Sequence, residues 1–443
     1  MNAIKFSRFL KFYENEESVG IFHQINPDPI VLKKSNWESF KKDPSSYPRL
    51  KKIFTERGLI IKDDFEDEKL INESKMELIN RLNDPKILYL MTAQHCNIKC
   101  DYCPIPEIAK NKGNNLLSKE NAIMGLELWF NHIKSTNYTG PLWLIFYGGE
   151  PLLNFTVIKE VVDYLQEKKQ RVIFPNINIM IATNGLLINE EIMFFFKKYN
   201  FFVSIGIDGF TPETNSKRLN SAENDTSFNL ISKIKTMSDM GITIGASVSI
   251  TEDNLNEIKN FSTKLNEIGV TDFGFNFLKG KALENLKISN GEYFKRASNA
   301  IIENYQMSEG KSIDAQINRK INSYNDNLPF PADCTCYGNQ IVIQADGYIT
   351  NCPFYRNDIK HISEVDKNFL IHETKEVQDW RNRLPLLNDK YLKESSMSLC
   401  GGGCTWSQLD QNKEMLTIDE NQFIFSEITL KYLIFKTQEE ELI

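Results

Sequence analysis

The 443-residue chain has no uninterrupted apolar run of the roughly 18 residues that a helix needs to cross a bilayer, and Met1 to Leu10 mixes polar and apolar residues instead of setting a charged region before an apolar one. Neither a membrane span nor a secretory signal is expected, and the chain reads as cytoplasmic. An excess of basic charge is also missing. With 52 Lys and Arg against 59 Asp and Glu, the formal net charge of −7 offers no broad positive surface for a phosphate backbone, so nucleic acid is not the expected partner. Between Cys103 and Cys334 there is no cysteine at all. The eight thiols form two groups, Cys96, Cys100 and Cys103, then Cys334, Cys336, Cys352, Cys400 and Cys404. Clustering of this kind in a long chain points to metal sites, not to disulfide staples.

The first group follows the apolar run Ile87 to Met91 and reads Cys96-Asn97-Ile98-Lys99-Cys100-Asp101-Tyr102-Cys103. Three thiolates at C-x3-C-x2-C spacing can wrap one [4Fe-4S] cube and leave one iron open to a small molecule. A zinc knuckle is the alternative; structural zinc takes four protein ligands, and the nearby candidate for the fourth is His95. With Tyr102 in the aromatic place, C-x3-C-x-aromatic-C resembles the signature of the radical S-adenosylmethionine (radical SAM) superfamily. That resemblance implies a [4Fe-4S] cluster on Cys96, Cys100 and Cys103 whose open iron chelates the amino and carboxylate groups of SAM. It implies reductive cleavage of SAM to a 5′-deoxyadenosyl radical that abstracts hydrogen from an unactivated C–H bond, with an electron donor such as flavodoxin or ferredoxin as partner.

From Ile87 onward, apolar runs at Ile87 to Met91, Leu142 to Tyr147, Ile177 to Ala182, Phe201 to Ile207, Ile242 to Ile250 and Asp272 to Leu278 alternate with amphipathic stretches at Lys119 to His132, Val157 to Glu167, Glu190 to Lys198, Phe228 to Met240 and Asn254 to Ile268. Continuous apolar strands between helices indicate an α/β fold with a parallel sheet and site loops at the strands' C-terminal ends. Six such units suit the open (β/α)6 partial TIM barrel of the radical SAM family. Gly148-Gly149-Glu150-Pro151 follows the second run; glycines permit close backbone approach to a ligand and a Glu can accept from an ammonium, so this stretch resembles the family's site for the SAM amino group. By position, Asn184, Ser204, Asp208 and Arg218 resemble polar contacts to the ribose and carboxylate of SAM, while each also reads as a turn former or cap.

Residues 1–83 carry short alternating runs, Trp37, Phe40 and Phe54 at helical spacings, and a charged helical stretch from Asp63 to Asn83. This resembles the winged-helix-like module with which ribosomal-peptide maturases capture a leader peptide as an added strand; a capping subdomain is the plainer alternative. Residues 84–328 are then the radical SAM core and 329–443 a cysteine-rich extension. Cys336, Gly347 and Cys352 resemble the opening motif of SPASM and twitch extensions, with Gln344 to Tyr348 as a hairpin turn, and Cys400-Gly401-Gly402-Gly403-Cys404 resembles part of the SPASM closing motif. A full closing motif would have cysteines where Tyr391 and Glu394 stand and another after Cys404, so five thiols suffice for one auxiliary [4Fe-4S] cluster with one to spare. Four-cysteine zinc remains the alternative there. Pro353 stands where sulfatase-maturating relatives carry an acidic base. The stretch Phe423 to Thr437 reads as a packing element before an acidic tail, Glu439 to Glu441.

The resulting expectation is a peptide-modifying radical SAM enzyme that crosslinks a precursor peptide bearing a leader, forming a thioether or a C–C bond. α-Carbon epimerisation, with the spare thiol as hydrogen donor, and a non-catalytic Fe-S scaffold are the alternatives.

Overall fold

A computed structural model describes residues 4–105, 113, 115–170, 177–218, 226–308, 313–411 and 413–436. The acidic tail lies outside them. In the N-terminal part, β1 (Lys5–Phe6), β2 (Leu10–Glu14), β3 (Ser18–His23), β4 (Ile30–Lys33) and β5 (Ile60–Ile61) build two small antiparallel sheets, ordered β2-β3-β4 and β1-β5. Helices Lys34–Lys42, Pro48–Glu56 and Asp64–Arg81 cover them. Trp37, Phe40 and Phe54, placed at helical spacing, meet Val19, Ile21 and Leu59 in a separate apolar core. Asp67 ties the last helix to the strands: it accepts from Ser7 Oγ (2.8 Å) and the Arg8 amide (2.9 Å), and Ser7 in turn meets His23 Nε2 (3.0 Å).

The six apolar runs form β6 (Ile87–Ala93), β7 (Leu142–Gly148), β8 (Ile177–Thr183), β9 (Phe201–Gly206), β10 (Thr243–Ser249) and β11 (Asp272–Asn276), all parallel to their neighbours. Their apolar continuity has the expected cause, since both faces are covered: Leu88 and Leu90 pack toward the helices, whereas Tyr89 and Met91 face a second cluster with Ile105 and Val342. The helices begin where side chains cap them. Ser118 accepts from the Asn121 amide, Asn189 from Ile192 and Ser289 from Glu292, each satisfying an end N–H that the helix leaves free.

The sheet does not stop at six strands. Two-residue β12 (Ile313–Asp314) adds in parallel to β11, and at the other edge β13 (Gln340–Ile343) pairs in parallel with β6, Gln340 opposite Ile87 and Ile343 opposite Leu90. β14 (Tyr348–Thr350) and β15 (Lys360–His361) complete ten strands among the described residues. β13 and β14 form the hairpin expected at Gln344 to Tyr348, with Gly347 at φ +85° donating its amide to Gln344 O (2.9 Å). The stretch from Asn254 is helical only over Ile258–Asn260 and Phe261–Glu267, because Asn254 turns its amide group into the chain, donating to the Asp208 and Ser249 carbonyls. The final packing element is the helix Asn421–Lys436, buried along Phe425, Thr429, Leu430, Leu433 and Ile434.

Candidate active site

A cavity of about 240 Å³ opens at the C-terminal ends of the parallel strands. The loop after β6 supplies Cys96, Cys100, Tyr102 and Cys103 to its lining; β7, β8 and β9 supply Tyr147, Thr183 and Ser204, and the turns after them Gly149, Asn184 and Arg218.

The two glycines explain how the cysteine loop is held. The Gly149 amide donates to Ala93 O (2.9 Å) and the Glu150 amide to His95 O (3.0 Å), so the turn after β7 lies flat on the start of the cysteine loop. A Cβ on Gly149 would stand 2.8 Å from the Cys96 amide nitrogen and closer still to the His95 carbonyl, and Gly148 sits at φ +145° with its own Cβ direction blocked by Ala93. A close approach to the start of the cysteine loop thus demands glycine here, and both glycines also line the cavity. His95 takes part through its carbonyl and does not line the cavity.

Glu150 closes the same turn onto the ends of the neighbouring strands. It is fully buried, and its carboxylate accepts from the Leu152 amide (3.0 Å), Thr183 Oγ1 (2.7 Å) and the Asn184 amide (2.8 Å), using three of about four lone-pair sites. It thereby joins the ends of β7 and β8 and aims Asn184, whose side-chain N–H groups reach Asn97 Oδ1 (2.7 Å) and Cys96 Sγ (3.6 Å). Burial raises its carboxyl above the ordinary range, and these donors work against that shift.

A second network holds the other side of the loop. Tyr102 donates its hydroxyl to Asp208, Arg218 Nη1 donates to Tyr102 (3.1 Å), and Asp208 accepts from the Ser249 amide (2.8 Å) while lying 3.9 Å from Arg218. Gly206 leaves the space that the Arg218 guanidinium occupies. The Asp101 amide donates to Lys217 O (2.8 Å) and the Cys100 thiol to Arg218 O (3.2 Å). Burial pushes the Cys100 thiol up to about 12 and raises Cys96 and Cys103 in the same direction. Tyr102, Arg218, Ser204 and Asn184 thus reach the cavity, and Asp208 stays behind Tyr102 and Arg218 as their anchor.

Sequence reasoning did not single out Ser247, Ser249, Asn276 and Lys279, which also line the cavity. Their signal was positional: Ser247 and Ser249 alternate at the C-terminal end of β10 and Asn276 closes β11. Phe354 and Trp406 form a wall contributed by the extension, each two residues past a cysteine, and Phe354 meets Tyr147 (5.9 Å between centroids) and Trp406 (5.7 Å).

The five later thiols divide. Cys334, Cys336, Cys352 and Cys404 share one apolar cluster with Trp380 and Trp406, and each influences the others' ionisation. A hydrogen bond from Cys336 brings Cys334 down to about 6. Cys400 lies instead against Tyr391, Ile418 and Phe423, with Tyr391 filling one of the places where a full closing motif has a cysteine. All eight cysteines are free thiols. Among the described residues no three Cys, His, Asp or Glu side chains converge on a single ion. Cluster thiolates need no such convergence, because each binds a different iron; the soft, free thiols of each group suit an Fe-S cluster.

The chain matches the Radical SAM superfamily over residues 90–265. It is 31% identical over 220 residues to the uncharacterized protein MJ0907 of Methanocaldococcus jannaschii, covering 49% of this chain and 71% of that one. It is 27% identical over 252 residues to the radical SAM cyclopropyl synthase TigE of Paramaledivibacter caminithermalis, covering 53% of this chain and about half, 52%, of TigE. Among solved structures, anSMEcpe with bound AdoMet and Cp18Cys peptide superposes with a TM-score of 0.64 at 16% identity, over 80% of this chain and 98% of that one. Streptococcus suis SuiB bound to precursor peptide SuiA gives 0.52 at 15% identity, over 94% and 99%. The parallel sheet matches the partial barrel of these enzymes, and the chain belongs to the radical SAM superfamily, as an enzyme related to its peptide-modifying maturases.

Proposed function

We propose that the chain modifies a ribosomally made precursor peptide by C–H abstraction and closes an intramolecular crosslink, a thioether or C–C bond. The cavity carries this reading: its lining joins Cys96, Cys100 and Cys103 to Phe354 and Trp406 from the extension, residues two positions past Cys352 and Cys404. Bound to Cys96, Cys100 and Cys103, a [4Fe-4S] cluster with SAM supplies the adenosyl radical. The chain's own part is positioning. Asn184, Ser204 and Arg218 line the cavity as polar partners for SAM, Glu150 and Asp208 lock them, and Phe277, Leu278, Phe354 and Trp406 keep water from the reacting carbon.

Closing a crosslink from a substrate radical discards one electron and one proton. We assign the electron's acceptor to a single auxiliary [4Fe-4S] cluster on Cys334, Cys336, Cys352 and Cys404, with flavodoxin or ferredoxin as external donor to the SAM-binding cluster. Cys400, which packs with Tyr391, Ile418 and Phe423 apart from the cluster the other four share, is the spare thiol. That placement weighs against epimerisation, which would ask Cys400 to return a hydrogen atom to the substrate. Residues 1–83 are assigned to leader capture, since β4 forms an edge of its three-stranded sheet and an extended peptide can add there.

The test is turnover of reconstituted protein with SAM, dithionite and a peptide encoded beside the gene, read by mass spectrometry. A crosslink removes a pair of hydrogens from the peptide and yields 5′-deoxyadenosine. Unchanged mass with solvent deuterium at an α-carbon would establish the epimerase, and absence of 5′-deoxyadenosine the scaffold.

A further inference from the structure

Arg383 is fully buried, and Leu384 and Leu386 beside it belong to the apolar cluster that holds Cys334, Cys336, Cys352 and Cys404. Its Nε donates to Thr417 O (3.0 Å) and its Nη1 to Tyr337 Oη (3.2 Å) and Thr405 Oγ1 (3.5 Å), and those two hydroxyls lie 3.1 Å from each other. Tyr337 follows Cys336 in the chain, and Thr405 follows Cys404. The loop from Cys400 to Cys404 also passes close by: a Cβ on Gly402, which adopts φ +81°, would stand 3.5 Å from Nη1. These contacts set the guanidinium against the segments that carry Cys336 and Cys404.

Buried cations elsewhere in the extension have their compensation. Lys320 meets Asp333 (3.1 Å), Arg356 meets Asp346 and Asp358 (2.7 Å each), and Arg381 gives its donors to the carbonyls of Tyr337 (2.7 Å) and Leu82 (2.8 Å). Among the described residues no carboxylate lies within ion-pair reach of Arg383, and its Nη2 has no hydrogen-bond partner. A cation left alone in apolar surroundings is strongly unfavourable, so an anionic group has to stand near it in the working protein. Metal ligation makes the four neighbouring thiols such a group. Four thiolates around a [4Fe-4S] core leave a net negative site, and one-electron reduction adds another negative charge, which a fixed cation in surroundings of low polarity stabilises further.

We propose that Arg383 is the buried counter-charge of the auxiliary cluster, a positioning residue that favours the bound cluster and, of its two oxidation states, the reduced one. The inference rests on the auxiliary-cluster assignment above. It is tested on the full reconstituted chain by iron content and by a redox titration, with dithionite as reductant and low-temperature electron paramagnetic resonance as readout. Arg383→Met removes the charge and keeps an apolar stem; Arg383→Lys restores the charge without the planar fork. The auxiliary midpoint of Arg383→Met should move negative, with the oxidised-to-reduced ratio at fixed potential changing on the order of tenfold, equivalent to about 59 mV for one electron. Arg383→Lys should titrate nearer the wild type, and the cluster on Cys96, Cys100 and Cys103 should shift less, serving as the integrity control in each variant. If Arg383→Met instead sheds the auxiliary share of its iron, Arg383→Lys should regain it. An unchanged auxiliary midpoint in Arg383→Met at about eight irons per chain, equal shifts in the two variants, or loss of the auxiliary iron in both overturns the role of the charge. A wild-type content of about four irons with a single signal overturns the auxiliary cluster itself, a different failure.

Discussion

Replacing Gly149 by Ala tests whether the turn after β7 is the clamp on the metal loop. The added methyl would stand 2.8 Å from the Cys96 amide nitrogen and nearer to the His95 carbonyl. Ordinary carbon contacts begin at about 3.5 Å, so the turn must retreat by more than half an ångström. That retreat strains the Gly149 to Ala93 and Glu150 to His95 hydrogen bonds, each contributing about 1 kcal/mol, and pulls Glu150 from its three donors. Loss of about 2–4 kcal/mol from the loop's native arrangement corresponds to roughly 30- to 10³-fold weaker retention of the cluster on Cys96, Cys100 and Cys103. The assay is iron content and 5′-deoxyadenosine formation after anaerobic reconstitution. Gly291→Ala is the control: it sits in the first turn of a helix with Asn421 Oδ1 3.4 Å from its Cβ position, and should behave as wild type. Full iron at this site and wild-type SAM cleavage in Gly149→Ala would refute the clamp.

Two further outcomes follow from the thiol grouping and the buried imidazoles. Cys400→Ala should keep about eight irons per chain, whereas Ala at Cys334, Cys336, Cys352 or Cys404 should lose much of the auxiliary share; iron loss in Cys400→Ala would reverse the ligand assignment. Burial pushes His23 down to about 4 against the pull of Asp67, and burial together with His372 pushes His132 down to about 3. Both are neutral when folded and protonate near 6.5 when unfolded, so their contribution is complete above about pH 6.5 and is lost as pH falls toward 4. The urea midpoint should drop between pH 7.5 and 5, and His132→Gln should flatten that slope; a midpoint independent of pH, or an unaltered slope, would count against the linkage.

What the sequence made legible was contiguous. The strands from β6 to β11 announce themselves as apolar runs because both faces are buried, and Cys96, Cys100 and Cys103 share one loop, so spacing alone brings them together. Long-range arrangement was not legible. Nothing near Gln340 says that it will lie opposite Ile87, and the five later cysteines could be divided only once folding set Tyr391 against Cys400. Polar residues were legible in chemistry and not in placement. Glu150 has the chemistry of a ligand contact, and nothing in its motif says that its carboxylate also accepts from Thr183 and the Asn184 amide, while Ser247, Ser249 and Asn276 looked ordinary and reach the cavity. Spacing reports which atoms are available; only packing reports which have been used.

The pairing of β13 with β6 gives the molecule an unusual mechanical character. The strand that leads into the first metal loop is bonded on one side to β7 and on the other to a strand arriving more than 240 residues later. Removing the extension would strip one flank of Ile87–Leu90 and leave a row of unpaired amides and carbonyls beside the reactive loop, an open edge of the kind that recruits foreign strands. The extension is therefore no detachable cassette. Melting should be concerted across both halves, and any rearrangement that admits a peptide has to occur at the loops around the cavity, because the ladder beneath them cannot slide by one residue without turning Tyr89 and Met91 to the wrong face.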